Sequence, residues 1–413
     1  MKILIISQVF WPDTASTAQH LADLAEELVQ RNHVVEVISS RHAYENPSIV
    51  FPPREDNAGV KISRLKNTGL GKKNVLSRGL DFLSFNLFLS FRLMKMRRKQ
   101  YDLVLGMTSP PLVSYVGVLF SRWKKMKFVY WAMDLQPELA IASGLMTKGS
   151  LMARVFTSMG NFIIKKSDRI IALDKYMKGH LLNRGAVEKQ VAIVPVWSVV
   201  NKRYEGTRNQ NPYRISHGFQ DKIVVMYSGN HAYVHPLETL LEAILLLRED
   251  PRFVFVFVGE GVRKKSVSTF KSKHLLDSII QFPYEPRNNI HHSLGSADLQ
   301  VVILGEHQVG FTHPNKIYGA MFLGKPIVYI GPNPSHISDM LSGLHGNILV
   351  SHGEHQKLAK ELAAFANEEQ SSQNETGLRN LKYAEYNFNP LDLRRRMIEE
   401  VTLVDGQKKV ISH

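Results

Sequence analysis

The sequence is most informative between residues 310 and 328, where it reads Gly310-Phe311-Thr312-His313-Pro314-Asn315-Lys316-Ile317-Tyr318-Gly319-Ala320-Met321-Phe322-Leu323-Gly324-Lys325-Pro326-Ile327-Val328. A loop of Gly, Thr and Asn leads into a helix of small and apolar residues, and a Gly-Lys-Pro turn then begins a strand. The first turn of such a helix has unpaired backbone N–H groups and lies at the positive end of the helix dipole. With the added charge of Lys316, the stretch predicts an anion site, although ordinary loop–helix–strand turns of α/β domains share the same pattern.

The composition is that of a globular protein with room for two domains. The chain has 413 residues, of which 44% are hydrophobic and 22% charged, and single cores rarely grow past about 250–300 residues. It contains no cysteine, which excludes disulfides, thiolate metal ligands and cysteine nucleophiles. The first residues form a short apolar strand rather than the long apolar core of a secretory signal, so we expect a cytoplasmic protein.

The charge is strongly positive and unevenly placed. A net charge of +15 and a pI of about 9.7 predict an acidic partner, either a phospholipid surface or a nucleic acid. We expect no nucleic-acid partner, because the sequence has no RNA-reading signature or recognition helix. Between residues 61 and 127, only Asp81 and Asp102 oppose the basic residues Lys61, Arg64, Lys66, Lys72, Lys73, Arg78, Arg92, Lys95, Arg97, Arg98, Lys99, Arg122, Lys124, Lys125 and Lys127.

An apolar helix is predicted over residues 80–94, inside this basic region. It is apolar nearly all round, but it is shorter than the roughly 20 residues that a membrane span needs, and Asp81, Asn86 and Arg92 interrupt it. Basic residues flank it on both sides, including the run Arg97-Arg98-Lys99, so the pattern predicts a helix that enters an anionic membrane interface. A buried core helix with a solvated basic end is the alternative interpretation.

Short apolar strands alternate with helices in both halves of the chain. This alternation is typical of parallel, doubly wound sheets, so the predicted fold class is α/β with two Rossmann-like domains. We expect domains over 1–200 and 201–385, joined through a polar linker, and a helical segment over 386–413 that packs back on the first domain. The predicted strands are 2–7, 34–39, 61–64, 103–106, 128–132, 169–173 and 191–194 in the first half, and 222–227, 253–259, 279–282, 299–303 and 327–330 in the second.

Three loops of the second half follow strands and carry glycine or a cation. They are the turn Tyr227-Ser228-Gly229-Asn230-His231, the turn Val258-Gly259-Glu260-Gly261, and the loop that leads to Lys316. Ligands of doubly wound sheets bind at the carboxyl ends of the strands, where glycine lets the backbone approach a phosphate. Each loop alone is a weak signal, but three in order on one predicted edge indicate a phosphate site.

With these motifs the chain resembles the GT-B glycosyltransferases, in particular the family-4-like enzymes of bacterial exopolysaccharide assembly. The resemblance covers nearly the whole chain. Its motifs are the first strand with Phe10-Trp11-Pro12 and Thr14-Ala15-Ser16-Thr17-Ala18, the run Asp134-Leu135-Gln136-Pro137-Glu138, the glycine turn at Gly229 with the leucine-rich helix after it, the turn Val258–Gly261, and Pro314-Asn315-Lys316 with Gly324-Lys325-Pro326.

The resemblance implies transfer of a hexose from a nucleoside diphosphate sugar, most often UDP-glucose or a similar UDP-hexose. It implies retention of configuration, no metal or other cofactor, a nucleotide in the second domain and an acceptor in the first. A lipid-linked saccharide acceptor would agree with the basic first half, so we expect a cytoplasmic enzyme attached peripherally to the inner face of the plasma membrane.

The family motifs also suggest roles for individual residues. Lys316 is expected to stabilise the leaving diphosphate, and Asp134 and Glu138 complete the predicted catalytic residues, although both acids also suit the start of a helix. The predicted donor-binding residues are Gly229, Asn230, His231, Tyr284, Thr312, His313, Pro314, Asn315 and Lys316. The predicted acceptor-side residues are Thr14, Ser16 and Thr17.

Several family positions are altered in this sequence. Many relatives have an arginine and a lysine where this chain has Asn230 and His235, and two glutamates where it has Phe311 and Gly319. Two alternatives to a transferase therefore stay open. One is a catalytically idle GT-B protein that binds a partner or a membrane, and the other is a UDP-sugar 2-epimerase, which would need carboxylates in the cleft.

Overall fold

The structure is a computed structural model that describes residues 1–44, 46–71, 75–110, 113–200, 202–286 and 289–403. The basic residues Lys72 and Lys73, the linker residue Asn201 and the last ten residues of the predicted C-terminal segment lie outside the described residues. The chain divides into two compact units. Unit 1 comprises Met1–Val196, Gly310–Thr312 and the chain from Leu391 onward, and unit 2 comprises Trp197–Val309 and His313–Pro390. The domain boundaries inferred from sequence, at residues 200 and 385, stay predictions.

The described residues of unit 1 form one eight-stranded sheet with helices between its strands. Its order is β3-β4-β2-β1-β5-β6-β7-β8, and neighbouring strands are parallel apart from the pair β3–β4. The strands are β1 (Lys2–Ile6), β2 (Val34–Ser40), β3 (Arg54–Asn57), β4 (Val60–Leu65), β5 (Leu103–Gly106), β6 (Lys127–Trp131), β7 (Arg169–Ala172) and β8 (Val191–Ile193). The helices are α1 (Ser16–Gln30), α2 (Val75–Met94), α3 (Val113–Lys124), α4 (Glu138–Ala142), α5 (Leu151–Lys166) and α6 (Lys175–Asn183).

Unit 2 is built on a parallel sheet of six strands in the order β11-β10-β9-β12-β13-β14 among its described residues. Numbered from its own first strand, this is the order 3-2-1-4-5-6 of a Rossmann fold. The strands are β9 (Ile223–Ser228), β10 (Phe253–Val258), β11 (Ile279–Phe282), β12 (Leu299–Ile303), β13 (Ile327–Ile330) and β14 (Ile348–Val350). The helices are α7 (Pro212–His217), α8 (Glu238–Leu246), α9 (Lys264–His274), α10 (Ile290–Gly295), α11 (Lys316–Phe322), α12 (His336–Leu341), α13 (His355–Phe365) and α14 (Gln370–Asn387).

Both faces of the unit 2 sheet are buried, which is why its strands are continuous apolar runs. Along β9, Val225 and Tyr227 join one core cluster, whereas Val224 and Met226 join the cluster on the other face. This alternation is the two-residue period of a strand. The predicted α/β class with two parallel, doubly wound sheets is confirmed.

A last helix, α15 (Pro390–Thr402), lies almost wholly in unit 1. Its apolar face is buried through residues that include Leu393 and Met397. Near its end, the Glu400 carboxylate accepts a hydrogen bond of 2.8 Å from Arg169 Nε at the start of β7. The C-terminal helix is therefore part of the same compact unit as the first sheet.

Candidate functional site

The candidate site begins at the carboxyl ends of β9 and β10, where glycine turns lie against each other. Gly229, Gly259 and Gly261 have φ values of 131°, 128° and 140°, a region that side chains rarely enter. A Cβ atom on Gly259 would lie 2.3 Å from the carbonyl oxygen of Gly229, and one on Gly261 would lie 2.6 Å from Asn230 Oδ1. Glycine is therefore required both by backbone conformation and by close packing of the two turns.

Backbone hydrogen bonds tie these strand ends together. Gly229 N donates to Val258 O at 2.9 Å, and His231 N donates to Glu260 O at 2.8 Å. Gly259 N in turn donates to Phe282 O, the last residue of β11, at 3.0 Å. These hydrogen bonds thus join the carboxyl ends of β9, β10 and β11 into one continuous edge.

Gly259→Ala is expected to destabilise the protein by about 2–3 kcal/mol, because the new methyl group meets the Gly229 carbonyl and the backbone strain adds to the clash. Urea unfolding measures the effect. The matched control is Gly179→Ala in α6, where no atom lies within 4 Å of the added Cβ and alanine favours the helix. Equal stability of Gly259→Ala and the wild type would contradict this close packing.

Lys316, the first residue of α11, brings its ammonium group to the first glycine turn. Its Nζ lies 3.5 Å above the centroid of the Tyr227 ring and would lie 3.3 Å from a Cβ on Gly229. The nitrogen is inaccessible to solvent and has no hydrogen-bond partner among the described residues. Burial lowers the pKa of Lys316 to about 7. A buried cation without an acceptor is costly, so an incoming anion would find a strong partner here.

Two histidines lie beside this lysine and carry no charge at neutral pH. Burial, and then the charge of Lys316, lowers the pKa of His231 to about 4 and that of His235 to about 3. The His231 ring packs edge-on against Tyr227, with 5.1 Å between the centroids. His231, predicted to bind the donor, is thus a buried neutral side chain that packs behind the glycine turn.

The remaining predicted donor residues of unit 2 surround the same edge. Asn230 is exposed, and its carbonyl accepts a 2.9 Å hydrogen bond from the Tyr227 hydroxyl. Tyr284 follows β11, and its Cε1 would lie 3.2 Å from a Cβ on Gly259. Pro314 and Asn315 start the turn into α11, where their carbonyls accept from Ile317 N and Tyr318 N, each at 3.2 Å.

His313 is fixed by aromatic stacking. Its ring lies parallel to those of Tyr318 and His336, at centroid distances of 5.4 Å and 3.9 Å. Its Nε2 is 2.6 Å from the Tyr318 hydroxyl. This geometry suits a residue that holds the loop before Lys316 in place.

Residues 310–312 of the same loop belong to unit 1, where Thr312 meets Asp134. Thr312 Oγ1 donates to Asp134 Oδ1 at 2.7 Å. Phe311, at a family glutamate position, accepts from Leu135 N through its carbonyl at 2.8 Å, and its ring packs against that of His180, with 4.3 Å between the centroids and a tilt of 33°. The structure therefore brings two predicted residues together, and an aromatic contact occupies the place of the missing glutamate.

Glu138, in the first turn of α4, forms an ion pair with Arg184 at 2.9 Å. Arg184 also donates to Gln136 O at 3.1 Å and to Asn161 Oδ1 at 2.9 Å. The carboxylate thus anchors the segment after Asp134, and its catalytic role stays a prediction.

The predicted acceptor-side residues lie at the start of α1, after β1. Thr14 O accepts a 2.8 Å hydrogen bond from Gln19 Nε2, and Ser16 O lies 2.8 Å from His20 Nδ1. Thr17 lies one residue further along the same helix. The sequence interpretation gave no role to Asp13, whose buried carboxylate accepts from Ala15 N at 3.3 Å and Tyr44 N at 2.7 Å. Asp13 therefore orders this loop.

Two further residues of the unit 2 edge had no predicted role. Tyr227 lies under Lys316, and its position at the end of β9, two residues before a glycine, was the available signal. Arg263 donates its backbone N–H to His231 O at 2.9 Å and pairs with Glu238 at 2.5 Å. A cation so far along the chain from Gly229 could be brought there only by the fold.

Two family models match the chain. Residues 17–197 match a glycosyl transferase 4-like domain, and residues 222–368 match the glycosyl transferases group 1 family. The probable glycosyltransferase WbjE of Pseudomonas aeruginosa is 24% identical over 340 residues, which is 82% of this chain and 83% of that protein. The putative colanic acid biosynthesis glycosyl transferase WcaI of Escherichia coli (strain K12) is also 24% identical over 340 residues, which is 78% of this chain and 82% of that protein.

Solved structures have the same fold. Sucrose-phosphate synthase from Thermosynechococcus elongatus has a TM-score of 0.77 at 14% identity, covering 97% of this chain and 98% of that one. Anabaena HepE in complex with UDP and glucose has a TM-score of 0.71 at 15% identity, covering 98% of this chain and 100% of that one. Two parallel-sheet units with these neighbours define the GT-B architecture. The chain belongs to the family-4-like GT-B glycosyltransferases, and it is an enzyme of the glycosyltransferase class.

Proposed function

We propose that this enzyme transfers a hexose from a UDP-hexose, UDP-glucose or a close analogue, to a lipid-linked saccharide in exopolysaccharide biosynthesis. The transfer retains the configuration and needs no metal. In this proposal the Lys316 ammonium group binds the donor diphosphate, and Asp134, with Thr312, binds sugar or acceptor hydroxyls. Two similar proteins support the substrate class, since HepE was solved with UDP-glucose and WcaI is named for colanic acid biosynthesis.

The observation that carries this proposal is the Lys316 ammonium group beside Gly229. The group lies 3.3 Å from the place of a Gly229 Cβ, and no hydrogen-bond acceptor among the described residues satisfies it. A diphosphate that approaches the glycine turn would supply that acceptor. Charge that develops on the leaving diphosphate would then be stabilised by a cation already in place.

A second candidate is the idle GT-B protein, which the altered family positions favour. The residue at a family lysine position is His235, a buried imidazole whose pKa is lowered to about 3. Such a side chain adds no positive charge to the donor site at neutral pH. Lys316 and Arg263 nevertheless keep two cations at the same edge, which favours a transferase.

A transfer assay tests the proposal. The purified protein is incubated with radiolabelled UDP-glucose and a lipid extract from polysaccharide-producing bacteria, and label is counted in the organic phase. We expect transfer that continues in the presence of a chelator, with product anomers that NMR identifies as retained. Donor binding without turnover would favour the idle protein, and conversion of the UDP-hexose in the absence of acceptor would indicate the epimerase.

An exposed apolar surface in unit 1 supports the lipid-linked acceptor. One side of α2 is buried through Phe85, Leu89 and Leu93, whereas apolar side chains three or four residues apart are exposed on the other side. The helix is thus apolar on both sides, and only one of them faces the core of unit 1. The exposed apolar residues of α2 are Leu76, Leu80, Leu83, Leu87, Phe88, Phe91 and Met94.

The neighbouring helices and charges extend this surface. On α3, Trp123 is 58% exposed, and on α5 Leu151 is 79% exposed. The exposed cations Lys95, Arg97 and Arg98 follow α2 directly. Among the described residues, no helix combines the length and apolar composition needed to span a bilayer. We propose that the surface binds an anionic leaflet peripherally, with apolar side chains in the interface and cations at the head groups.

Changing Leu83 and Leu87 together to Ser is expected to weaken binding to anionic vesicles about tenfold or more, because these exposed leucine side chains would enter the membrane interface and provide the hydrophobic part of the attraction. Co-sedimentation with phosphatidylglycerol-containing vesicles measures the partition coefficient. The control is Leu275→Ser in unit 2, a leucine that is even more exposed, at 86% against 65% for Leu83 and 53% for Leu87. Wild-type binding should fall at high salt, and equal binding to neutral vesicles would contradict the proposed surface.

A further inference from the structure

Two buried lysines that lie on aromatic rings differ in their other contacts. Lys124 Nζ lies 4.1 Å from the centroid of the Trp123 ring and also donates to the carbonyls of Met94 and Met96, at 3.0 Å and 2.8 Å. Lys316 Nζ lies closer to its ring, at 3.5 Å, and has no hydrogen-bond acceptor among the described residues. The ring face of Tyr227 is thus the electron-rich group that holds the Lys316 ammonium group.

The Tyr227 ring is itself rigidly held. It is 1% exposed and packs in the core of unit 2, with its centroid 6.2 Å from that of Phe257. Its hydroxyl donates to Asn230 O at 2.9 Å, so strand and turn fix both ends of the side chain. Gly229 leaves room for the lysine side chain above the ring, since a Cβ at that position would lie 3.4 Å from Lys316 Cε.

The charges around Lys316 leave it without a carboxylate partner among the described residues. The nearby acids are engaged elsewhere, because Glu260 pairs with Lys264 at 2.5 Å and Glu238 pairs with Arg263. His231 and His235 face the lysine from the turn after β9 and are neutral at physiological pH, and Tyr284 lies beyond Gly259. The cluster therefore has a surplus of positive charge that an anion would neutralise.

We propose that Tyr227 is a positioning residue for the donor, whose ring face holds the Lys316 ammonium group beside Gly229 until a nucleoside diphosphate becomes its partner. The inference rests on the proposed function and adds the group that orients its key cation. A flexible lysine stem would otherwise sample many rotamers in water. Held on the ring, Lys316 needs only a short outward movement to reach a phosphate oxygen.

One consequence is proton uptake on binding. Burial lowers the pKa of Lys316 to about 7, so most of the lysine is neutral at pH 8, and a bound diphosphate restores the charged form. One proton then moves from the solvent to Nζ, and at pH 8, where the UDP phosphates are already ionised, we expect net uptake that approaches one proton per UDP bound. The two histidines contribute nothing to this proton uptake, because their pKa values lie far below pH 8.

The test compares variants at the ring by calorimetric titration with UDP in buffers of different ionisation enthalpy. For Tyr227→Leu, we expect about tenfold weaker binding at pH 6 and proton uptake near zero at pH 8, because the lysine is released to water. Tyr227→Phe keeps the ring and should retain both wild-type values. Phe255→Leu is the matched core control, because its buried ring stacks on Phe253 in the same core cluster, and it should also retain the wild-type uptake.

Three results would overturn the proposal. They are wild-type binding without proton uptake at pH 8, a Tyr227→Leu variant with the wild-type pH profile, and a Tyr227→Phe variant as impaired as Tyr227→Leu. The first needs no variant, so a Tyr227→Leu protein that does not fold leaves the test intact. Failure of the proposed function is distinct, since the wild type would then bind no UDP at any pH.

Discussion

Lys316→Ala is expected to weaken UDP binding about a hundredfold, or about 2.7 kcal/mol, with little change in thermal stability. The variant loses the charge-assisted hydrogen bonds to the diphosphate, whereas the fold loses an ammonium group that contacts the Tyr227 ring but has no hydrogen-bond partner among the described residues. The native state therefore loses no hydrogen bond when this cation is removed. Isothermal titration calorimetry with UDP measures the affinity, and thermal unfolding checks the fold.

Lys325→Ala is the matched control for this variant. Lys325 lies just before β13, at the opposite end of that strand from the candidate site, and burial also lowers its pKa, to about 8. Both variants remove one buried positive charge from unit 2. Only Lys316→Ala should lose affinity, and an equal loss in the two variants would indicate a general charge effect instead of a diphosphate contact.

Asp298→Ala is expected to lower the free energy of unfolding by about 3–5 kcal/mol. The Asp298 carboxylate, just before β12, accepts from Arg208 Nε at 2.6 Å, from Arg214 Nη1 at 3.1 Å and from Val224 N at 2.8 Å. Arg214 is 1% exposed, so the alanine variant leaves a guanidinium group buried without its counterion. Urea unfolding at neutral pH measures the loss.

The same interaction predicts that the free energy of unfolding depends on pH in the acid range. Burial alone would raise the pKa of Asp298, but the hydrogen bonds and charges of Arg208 and Arg214 outweigh it and hold the pKa below the ordinary 3.8. A carboxyl group whose pKa is lowered by folding stabilises the protein at pH values above its pKa in the unfolded state. This stabilisation is lost as the pH falls through its pKa in the folded state. The difference between wild type and Asp298→Ala should therefore shrink in strong acid.

Asp250→Ala serves as the surface control for Asp298→Ala. Its carboxylate pairs with Arg252 at 2.7 Å, and the Arg252 side chain is 42% exposed, so the loss should stay below about 1 kcal/mol. A cost for Asp298→Ala no larger than that for Asp250→Ala would contradict the structural role of the buried cluster.

The central strands could be predicted from sequence because both of their faces are buried. Strands β5, β12 and β13 begin and end at the predicted residues, since a short, mainly apolar run between polar turns is typical of a strand that is covered on both faces of a parallel sheet. Strand β3 is different. Its sequence, Arg-Glu-Asp-Asn, has no apolar pattern, and only antiparallel pairing with β4 at the edge of the sheet makes it a strand.

The polar segments were also hard to interpret from sequence. The predicted polar linker, residues 201–221, contains α7, which begins where Asn211 caps it by accepting from Tyr213 N at 2.9 Å. Helix α14 has a polar sequence, and tertiary packing buries residues such as Thr376 and Asn380 along it. In both places a local capping or packing contact decides the structure, and composition alone indicates a loop.

The candidate site was predictable as a set of loops but not as a set of contacts. Glycines after parallel strands and a lysine at a helix start indicate one edge of one sheet, and the structure places Gly229 and Lys316 together there. The position of the Tyr227 ring under that lysine depends on the directions of side chains from two separate elements, β9 and α11. The contact of Thr312 with Asp134 joins residues 178 positions apart, which a single sequence does not reveal.

The most direct test is a calorimetric titration of the wild type with UDP, GDP, UDP-glucose, UDP-N-acetylglucosamine and GDP-mannose, each with and without magnesium. The account predicts that UDP and one UDP-hexose bind equally well in both conditions, since Lys316 supplies the positive charge at the diphosphate. Absence of binding to every nucleotide would contradict the donor site. It would then favour a GT-B protein that acts through a partner or a membrane surface alone.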